Sequence, residues 1–321
     1  MKKNIFSSII GLLWFVPGLL AQTVAATPHE LVFVSDTQQP MRVEMVVLKP
    51  DHNLQATASI FSEIIKRKPN NLFMLGDVVS LGFKNKKWHN VDRFLDSCRN
   101  EGVNVNALLG NHELLEHPVK GERNFDKRFP GSVRTGYVSV ADSIAVVLLN
   151  SNFSSLTAQE MALQQSWYQN TLDSLDKTDS IVSVVVACHH APFTNSKIVG
   201  SSAKVQRNFV PAYIKSKKAQ LFITGHAHAF EHFRQQGKDF VVIGGGGGLH
   251  QPLDSSVVAL PDLARNYKPN YHFLSVNRIN NILFIHSHYL NKNFIGFETG
   301  HSFEINLAET AQPDKGAFQS N

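Results

Sequence analysis

Cysteine is scarce in this chain of 321 residues: Cys98 and Cys188 are the only two. Two thiols cannot build the dense disulfide framework of a small secreted domain, nor the cysteine ligand set of a closed structural zinc site. Cys98 sits within the helical pattern VDRFLDSCRNEG and Cys188 ends an apolar run, so both read as buried free thiols. Charge of one sign is also in short supply, with 31 basic against 26 acidic residues. The basic clusters KNKK (84–87) and KSKK (215–218) read as solvated helix faces, and no nucleic-acid surface is evident. The glycine run 244–248 lacks the Lys-Ser/Thr pair and following helix of a nucleotide-binding loop. Loop flexibility or close approach of backbone to a site accounts for it instead. Internal repeats and linkers are missing as well, which favours one domain.

What is present begins with residues 1–26, where Lys2 and Lys3 precede an apolar stretch and small residues at Ala21, Ala25 and Ala26. That order is the pattern of a secretory signal peptide, too short for a convincing membrane span. The expected mature chain starts between Gln22 and Thr27, keeps 29 basic residues against 26 acidic, and works in the periplasm or outside the cell. One domain is expected over 27–307, followed by a loose polar tail at 308–321. Within it, strand-like runs (31–36, 71–77, 103–113, 180–190, 219–228, 239–248) alternate with helical patterns (52–68, 88–102, 157–175). Hairpins are expected over 136–151 and 271–290. Short buried strands between helices suggest βαβ units and a parallel sheet covered on both faces.

Five of the strand-like runs end in groups able to bind metal: Asp36; Asp77; Asn111, His112 and Glu113; His189 and His190; His226 and His228. The C-terminal edge of an open α/β sheet is where ligands bind. Taken alone, each ending could be a turn former or a satisfied core histidine; five together point to a metal site. His226 and His228 converge only if the chain leaves the strand at Gly225. Carboxylates, imidazoles and an amide suit zinc, manganese or iron at an open catalytic site. One carboxylate can bridge two cations about 3.5–4 Å apart, a pair that binds phosphate and activates water for in-line attack.

Read in order, Asp36, Gly76-Asp77, Gly110-Asn111-His112-Glu113, His189 and Gly225-His226-Ala227-His228 resemble the calcineurin-like metallophosphoesterase family, over residue 31 to roughly 291. The piece GHAHAFEHF is similar to the purple acid phosphatase branch and its secreted bacterial relatives. The resemblance implies an α/β fold of four αββα layers, with two mixed sheets flanked by helices. It implies two metal ions, iron, manganese or zinc, with Asp77 bridging them. Asn111, His189 and His226 would complete one site; Asp36 and His228 would belong to the other. His112 would face the substrate, a small phosphorylated molecule, and contact phosphate or protonate the leaving oxygen. Glu113 would orient that ring or lie in solvent. The string CHHAPF fits His-His-x-Pro with His189 as ligand, or His-x-Pro with His190; His189 is favoured because it directly follows the strand. Arg123, Arg128 and Arg134 could meet phosphate, and His250 could line the pocket.

The sequence departs from the family at its first motif, where Asp-x-His is replaced by Asp36-Thr37-Gln38. Gln38 offers at most a neutral carbonyl oxygen, which weakens the first metal position. The place of the purple branch's metal-binding tyrosine is Ser80. The implied activity is a phosphomonoesterase. A phosphodiesterase or nucleotidase on the same site, or a non-catalytic phosphate- or glycan-binding relative, are the alternatives. Loops 114–135, 191–209 and 249–270 would set specificity, and neither substrate nor oligomeric state is legible.

Overall fold

The computed structural model describes residues 30–256 and 259–308. The signal-peptide reading of 1–26 and all of the polar tail beyond residue 308 lie outside the described residues. Among those described, no helix is long and apolar enough to cross a membrane.

In chain order the first half gives β1 (Leu31–Val34), α1 (Asn53–Arg67), β2 (Asn71–Met74), α2 (Asn85–Asn100), β3 (Asn104–Ala107), α3 (Asn111–Leu114) and α4 (Pro118–Asp126). A hairpin of β4 (Tyr137–Ala141) and β5 (Ile144–Leu149) follows, then α5 (Ala158–Lys177), β6 (Ser183–Cys188), α6 (Ala203–Asn208) and α7 (Val210–Lys215). The chain closes with β7 (Ala219–Thr224), β8 (Phe230–Gln235), β9 (Lys238–Ile243), β10 (His272–Ile279), β11 (Ile282–Leu290) and β12 (Phe297–Asn306). The β4–β5 turn holds Asp142 and Ser143 at positive φ, the mirror-type turn that matches strand twist. Helix α5 starts at a capping box in which Thr157 and Glu160 satisfy each other's backbone amides.

The strands form two six-stranded sheets, ordered β12-β11-β10-β1-β2-β3 and β4-β5-β6-β7-β9-β8. Strands β1, β2 and β3 run parallel, as do β5, β6, β7 and β9, while the remaining pairings are antiparallel. The two mixed sheets that the resemblance implied are therefore present, stacked face to face, rather than the single parallel sheet that the strand pattern alone suggests. The period-2 alternation of side chains explains why. Leu31 and Phe33 of β1 join Val146, Val185 and Leu221 in a core between the sheets. Val32 and Val34 point the other way, into a core with Ile60 of α1 and Phe94 of α2. On the second sheet, Ala145 and Val147 pack outward against Tyr168 and Leu172 of α5. Three apolar cores thus separate four layers, α-β-β-α. Cys98 and Cys188 are buried and free.

Strands β8 and β12 and helices α3, α4, α6 and α7 escape the sequence patterns. Strand β12 is an edge strand of mixed exposed residues, without the apolar alternation that marks a half-buried strand. Strand β8 carries Glu231 and Arg234, and its buried carboxylate is tolerated only because α/β loops supply donors to it.

Candidate metal centre

Each parallel strand stops short of its expected end, and the candidate ligands stand on the turns beyond. Asp36 (φ 59), Asp77 (φ 48) and His226 (φ 67) all occupy the left-handed region, sparsely populated for residues with a Cβ. Their surroundings hold them there. The amide of Asp36 donates to the Gly76 carbonyl and that of Gln38 to the Asp77 carbonyl, both at 3.1 Å, zipping the β1 and β2 turns together. Asp36 accepts the His226 amide on both oxygens, at 3.2 and 3.0 Å, and Asp77 Oδ1 accepts the His112 amide at 2.7 Å.

Strand β7 ends at Thr224, so the chain leaves it at Gly225 as expected, although the positive φ is taken by His226. Gly225 serves close approach instead: a Cβ there would stand 1.9 Å from Ser35 Oγ and 2.4 Å from Asp36 Oδ2. Asn111 and His112 are not on a strand end. Strand β3 finishes at Ala107, and both residues open the short helix α3 behind Gly110.

Asp77, His189 and His226 bring one ligand atom each to within 4.8 Å of one another. Asn111 joins them through Oδ1, 3.1 Å from His189 Nε2, which also lies 3.2 Å from Asp77 Oδ2. His189 Nδ1 faces the Leu75 carbonyl at 2.9 Å and must donate to it. That leaves Nε2 facing two acceptor oxygens, an arrangement that a proton or a metal ion at Nε2 satisfies. A second group repeats the pattern. His228 Nδ1 donates to the Leu249 carbonyl at 2.7 Å, and its Nε2 lies 3.4 Å from Asp36 Oδ1. Gln38 is buried beside it. With its amide nitrogen donating to the carbonyls of Asp36 (3.1 Å) and Asp77 (2.8 Å), its oxygen faces His228 Nε2 at 3.2 Å. Backbone carbonyls that fix imidazole tautomers in this way are the usual supports of metal-binding histidines. The donor sets fit metal ions, without a thiolate in either.

Charges follow the same geometry. Burial would raise the Asp77 carboxyl, but the His189 and His112 rings hold it well below the usual carboxylate range. Burial would lower His189, yet Asp77 and Asp36 push it up to about 9. His226, with less carboxylate contact, falls to about 4 through burial and the His189 charge. His190 falls to about 2 for the same two reasons. Its Nδ1 pairs with Ser151 Oγ at 2.8 Å, and its ring stands beside the cluster, 4.5 Å between centroids from that of His226. Of the two neighbouring histidines, His189 is the one brought to the cluster.

His112 is buried, with Nδ1 on the Ser80 carbonyl at 3.1 Å and Nε2 3.8 Å from Asp77 Oδ2. Glu44, in a 3-10 turn over residues 44–46, reaches the same nitrogen at 3.7 Å. No sequence signal marked Glu44, because a lone acid in a loop has no pattern. Glu113 is corrected on both counts: it is neither solvated nor bonded to the His112 ring. It is fully buried and accepts the amides of Asp77 (2.9 Å), Val79 (3.1 Å) and Gly110 (2.8 Å), pinning two ligand turns to one carboxylate. Burial and the Asp77 charge push it up to about 7 against those donors.

Two of the three arginines are held in ion pairs and the third is exposed. Arg128 pairs with both oxygens of Asp92 over the Trp88 ring, Arg134 with Glu122 and Glu160, and Arg123 is exposed on α4. The glycine run comes close to the site: a Cβ on Gly248 would meet the His228 ring at 2.4 Å. His250 Nδ1 faces the His228 carbonyl at 3.4 Å, which places that residue beside the second group.

Residues 29–230, which include every candidate ligand, match the family model described as calcineurin-like phosphoesterase. Solved structures share the fold at low identity. A purple acid phosphatase from yellow lupin (Lupinus luteus) seeds is 14% identical with a TM-score of 0.68, over 92% of this chain. This chain spans only 58% of the lupin protein's length. The anchor in the inner membrane complex of Plasmodium is 13% identical with a TM-score of 0.60, over 87% of this chain and 88% of its own. A dimetal phosphatase from Danio rerio is 14% identical with a TM-score of 0.54, over 87% of this chain and 99% of its own.

Proposed function

Because the chain belongs to the calcineurin-like phosphoesterase family, and is thus a hydrolase of phosphoesters, we propose that it is a periplasmic or secreted phosphomonoesterase using two metal ions. The observation that carries this reading is the convergence of Asp77, His189 and His226 to within 4.8 Å, from turns of both sheets. Asp77, Asn111, His189 and His226 would hold one ion; Asp36, Asp77, His228 and the Gln38 oxygen would hold the other. When bound, such ions supply positive charge to the phosphoryl oxygens and acidify water for in-line attack.

The chain's own groups do the rest. The carbonyls of Leu75 and Leu249 keep His189 and His228 in the tautomer that presents Nε2. Glu113 fixes the Asp77 and Gly110 turns, so the donor set is organised before substrate arrives. His112, with Nδ1 on the Ser80 carbonyl, would hold a proton at Nε2 and deliver it to the leaving oxygen. Secretion rests on the charged, apolar and small-residue order of residues 1–26.

The test is hydrolysis of para-nitrophenyl phosphate by protein refilled with manganese, zinc or iron, against its Asp77→Asn variant. The expected result is metal-dependent turnover lost by at least about a hundredfold in the variant. No turnover with any metal sinks the reading. Gln38 favours one second reading, a relative that retains a single ion; metal analysis showing one equivalent would select it. Faster hydrolysis of bis-para-nitrophenyl phosphate or AMP would move the substrate to a diester or nucleotide.

A further inference from the structure

A groove of about 420 Å³ runs between α1 and α2, a size typical of small-molecule pockets. Its floor is apolar: Phe61 and Phe94 stack with ring centroids 3.8 Å apart, beside Ile65 and Val91. Leu54, Ala58 and Ser62 line it from α1 at one-turn spacing. Where the helices begin, the groove is closed by Thr37, Val78, Val79 and Ser80, the residues that follow Asp36 and Asp77. It is therefore continuous with the turns that carry the candidate ligands. Ser80 stands at the junction. Its carbonyl accepts from His112, while its hydroxyl is buried and has no hydrogen-bond partner among the described residues.

Charge and exposure point the same way. Lys87 and Arg93 are the only charged residues lining the groove, so it is cationic, and Lys87 Nζ reaches Gln39 Oε1 at 3.5 Å across its mouth. Gln39 and Leu54 also line a second cleft of about 440 Å³ that includes Met45. Val43, Met45, Val46, Val47 and Leu54 are exposed, five of the thirteen large apolar side chains exposed among the described residues. Such clustering marks an interaction surface rather than scattered surface residues. The same segment carries Glu44, which reaches His112. An apolar surface thus begins at the catalytic edge and continues into a cationic, apolar-floored groove.

We propose that this groove holds the apolar leaving group of the substrate, a phosphoester of a long-chain alcohol. The proposal rests on the phosphoesterase reading above. In the reaction, a water oxygen bonds to phosphorus, the bond from phosphorus to the alkyl oxygen breaks, and that oxygen leaves with a proton as the free alcohol.

The experiment is a calorimetric titration of the metal-loaded protein with alkylphosphonates from ethyl to decyl, kept below their micellar concentrations. These probes do not turn over, so binding is read apart from catalysis. Affinity should rise by up to about fourfold for each methylene that enters the groove. Ala58→Trp and Ser62→Trp, both at exposed positions on α1, fill the groove and should each flatten that slope. A flat series in the parent protein overturns the proposal, as does a slope that survives in both variants. Sedimentation showing two copies joined through this face overturns it too. Parallel kinetics with ethyl and decyl phosphate separate the two readings. Turnover without chain-length dependence sinks the groove alone, whereas chain-dependent phosphonate binding without turnover of either ester sinks the phosphoesterase.

Discussion

Gln38 and Glu113 decide more at the scale of single residues than their sequence context suggests. Gln38 replaces an imidazole with a neutral oxygen, and its amide nitrogen is held by two backbone carbonyls. Gln38→His should therefore tighten metal binding at the Asp36–His228 group by at least about tenfold, since imidazole is the better ligand for zinc and iron. Calorimetric metal titration reads this directly, and unchanged affinity would show that residue 38 does not limit binding. Glu113 was legible only as part of a GNHE string; two of its three partners were not, because they lie on a different turn, some 35 residues away. Glu113→Ala leaves three buried amides without an acceptor, each worth about 1–3 kcal/mol. Urea unfolding should show a loss of about 3 kcal/mol or more, and metal content should fall with it.

At the scale of elements, the turns after the strands are the working parts, and packing rather than flexibility dictates their composition. A Cβ at Gly248 would drive into the His228 ring, whereas one at Gly200 would meet nothing within 4 Å. Gly248→Ala should cost about 1–3 kcal/mol in thermal or urea unfolding and reduce metal affinity at the Asp36–His228 group. Gly200→Ala should stay within about 0.5 kcal/mol. Equal effects at the two positions would contradict the close approach. Strands β1 and β2 were readable as short apolar runs buried on both faces, and α1, α2 and α5 because each has one buried face at the helical period. Strand β12 and the short helices were not, because an edge strand and a six-residue helix bury too little to impose one.

At the scale of the whole molecule, burial leaves its mark on the pH dependence of stability. Glu231 of β8 is fully buried against Thr194 and Asn195, and burial pushes its carboxyl up to about 7. Its folded pKa lies above its unfolded value, so between about pH 4.5 and 7 the native state holds more protons than the unfolded chain. Stability therefore falls as pH rises through that window. Glu231→Gln removes this loss and should be more stable than the parent above pH 7, by on the order of 2 kcal/mol. Urea midpoints at pH 4.5 and pH 8 check it; an unchanged difference between the two proteins at both values would refute the assignment.

The sequence by itself determined which chemistry the protein can hold. The order Asp36, Asp77, Asn111, His112, His189, His226, His228 needs only residue types and spacing, and strand periodicity placed them beyond the C-terminal ends of successive strands. Tertiary structure alone decided how those groups divide. It turned His189 inward and His190 to Ser151, set Glu113 beneath the turns, and brought Glu44 to His112. Those outcomes depend on contacts between turns distant in the sequence, across the two sheets for His189 and within one sheet for the others. Local periodicity records which face a residue takes within its own element, but not which distant turn that face will meet.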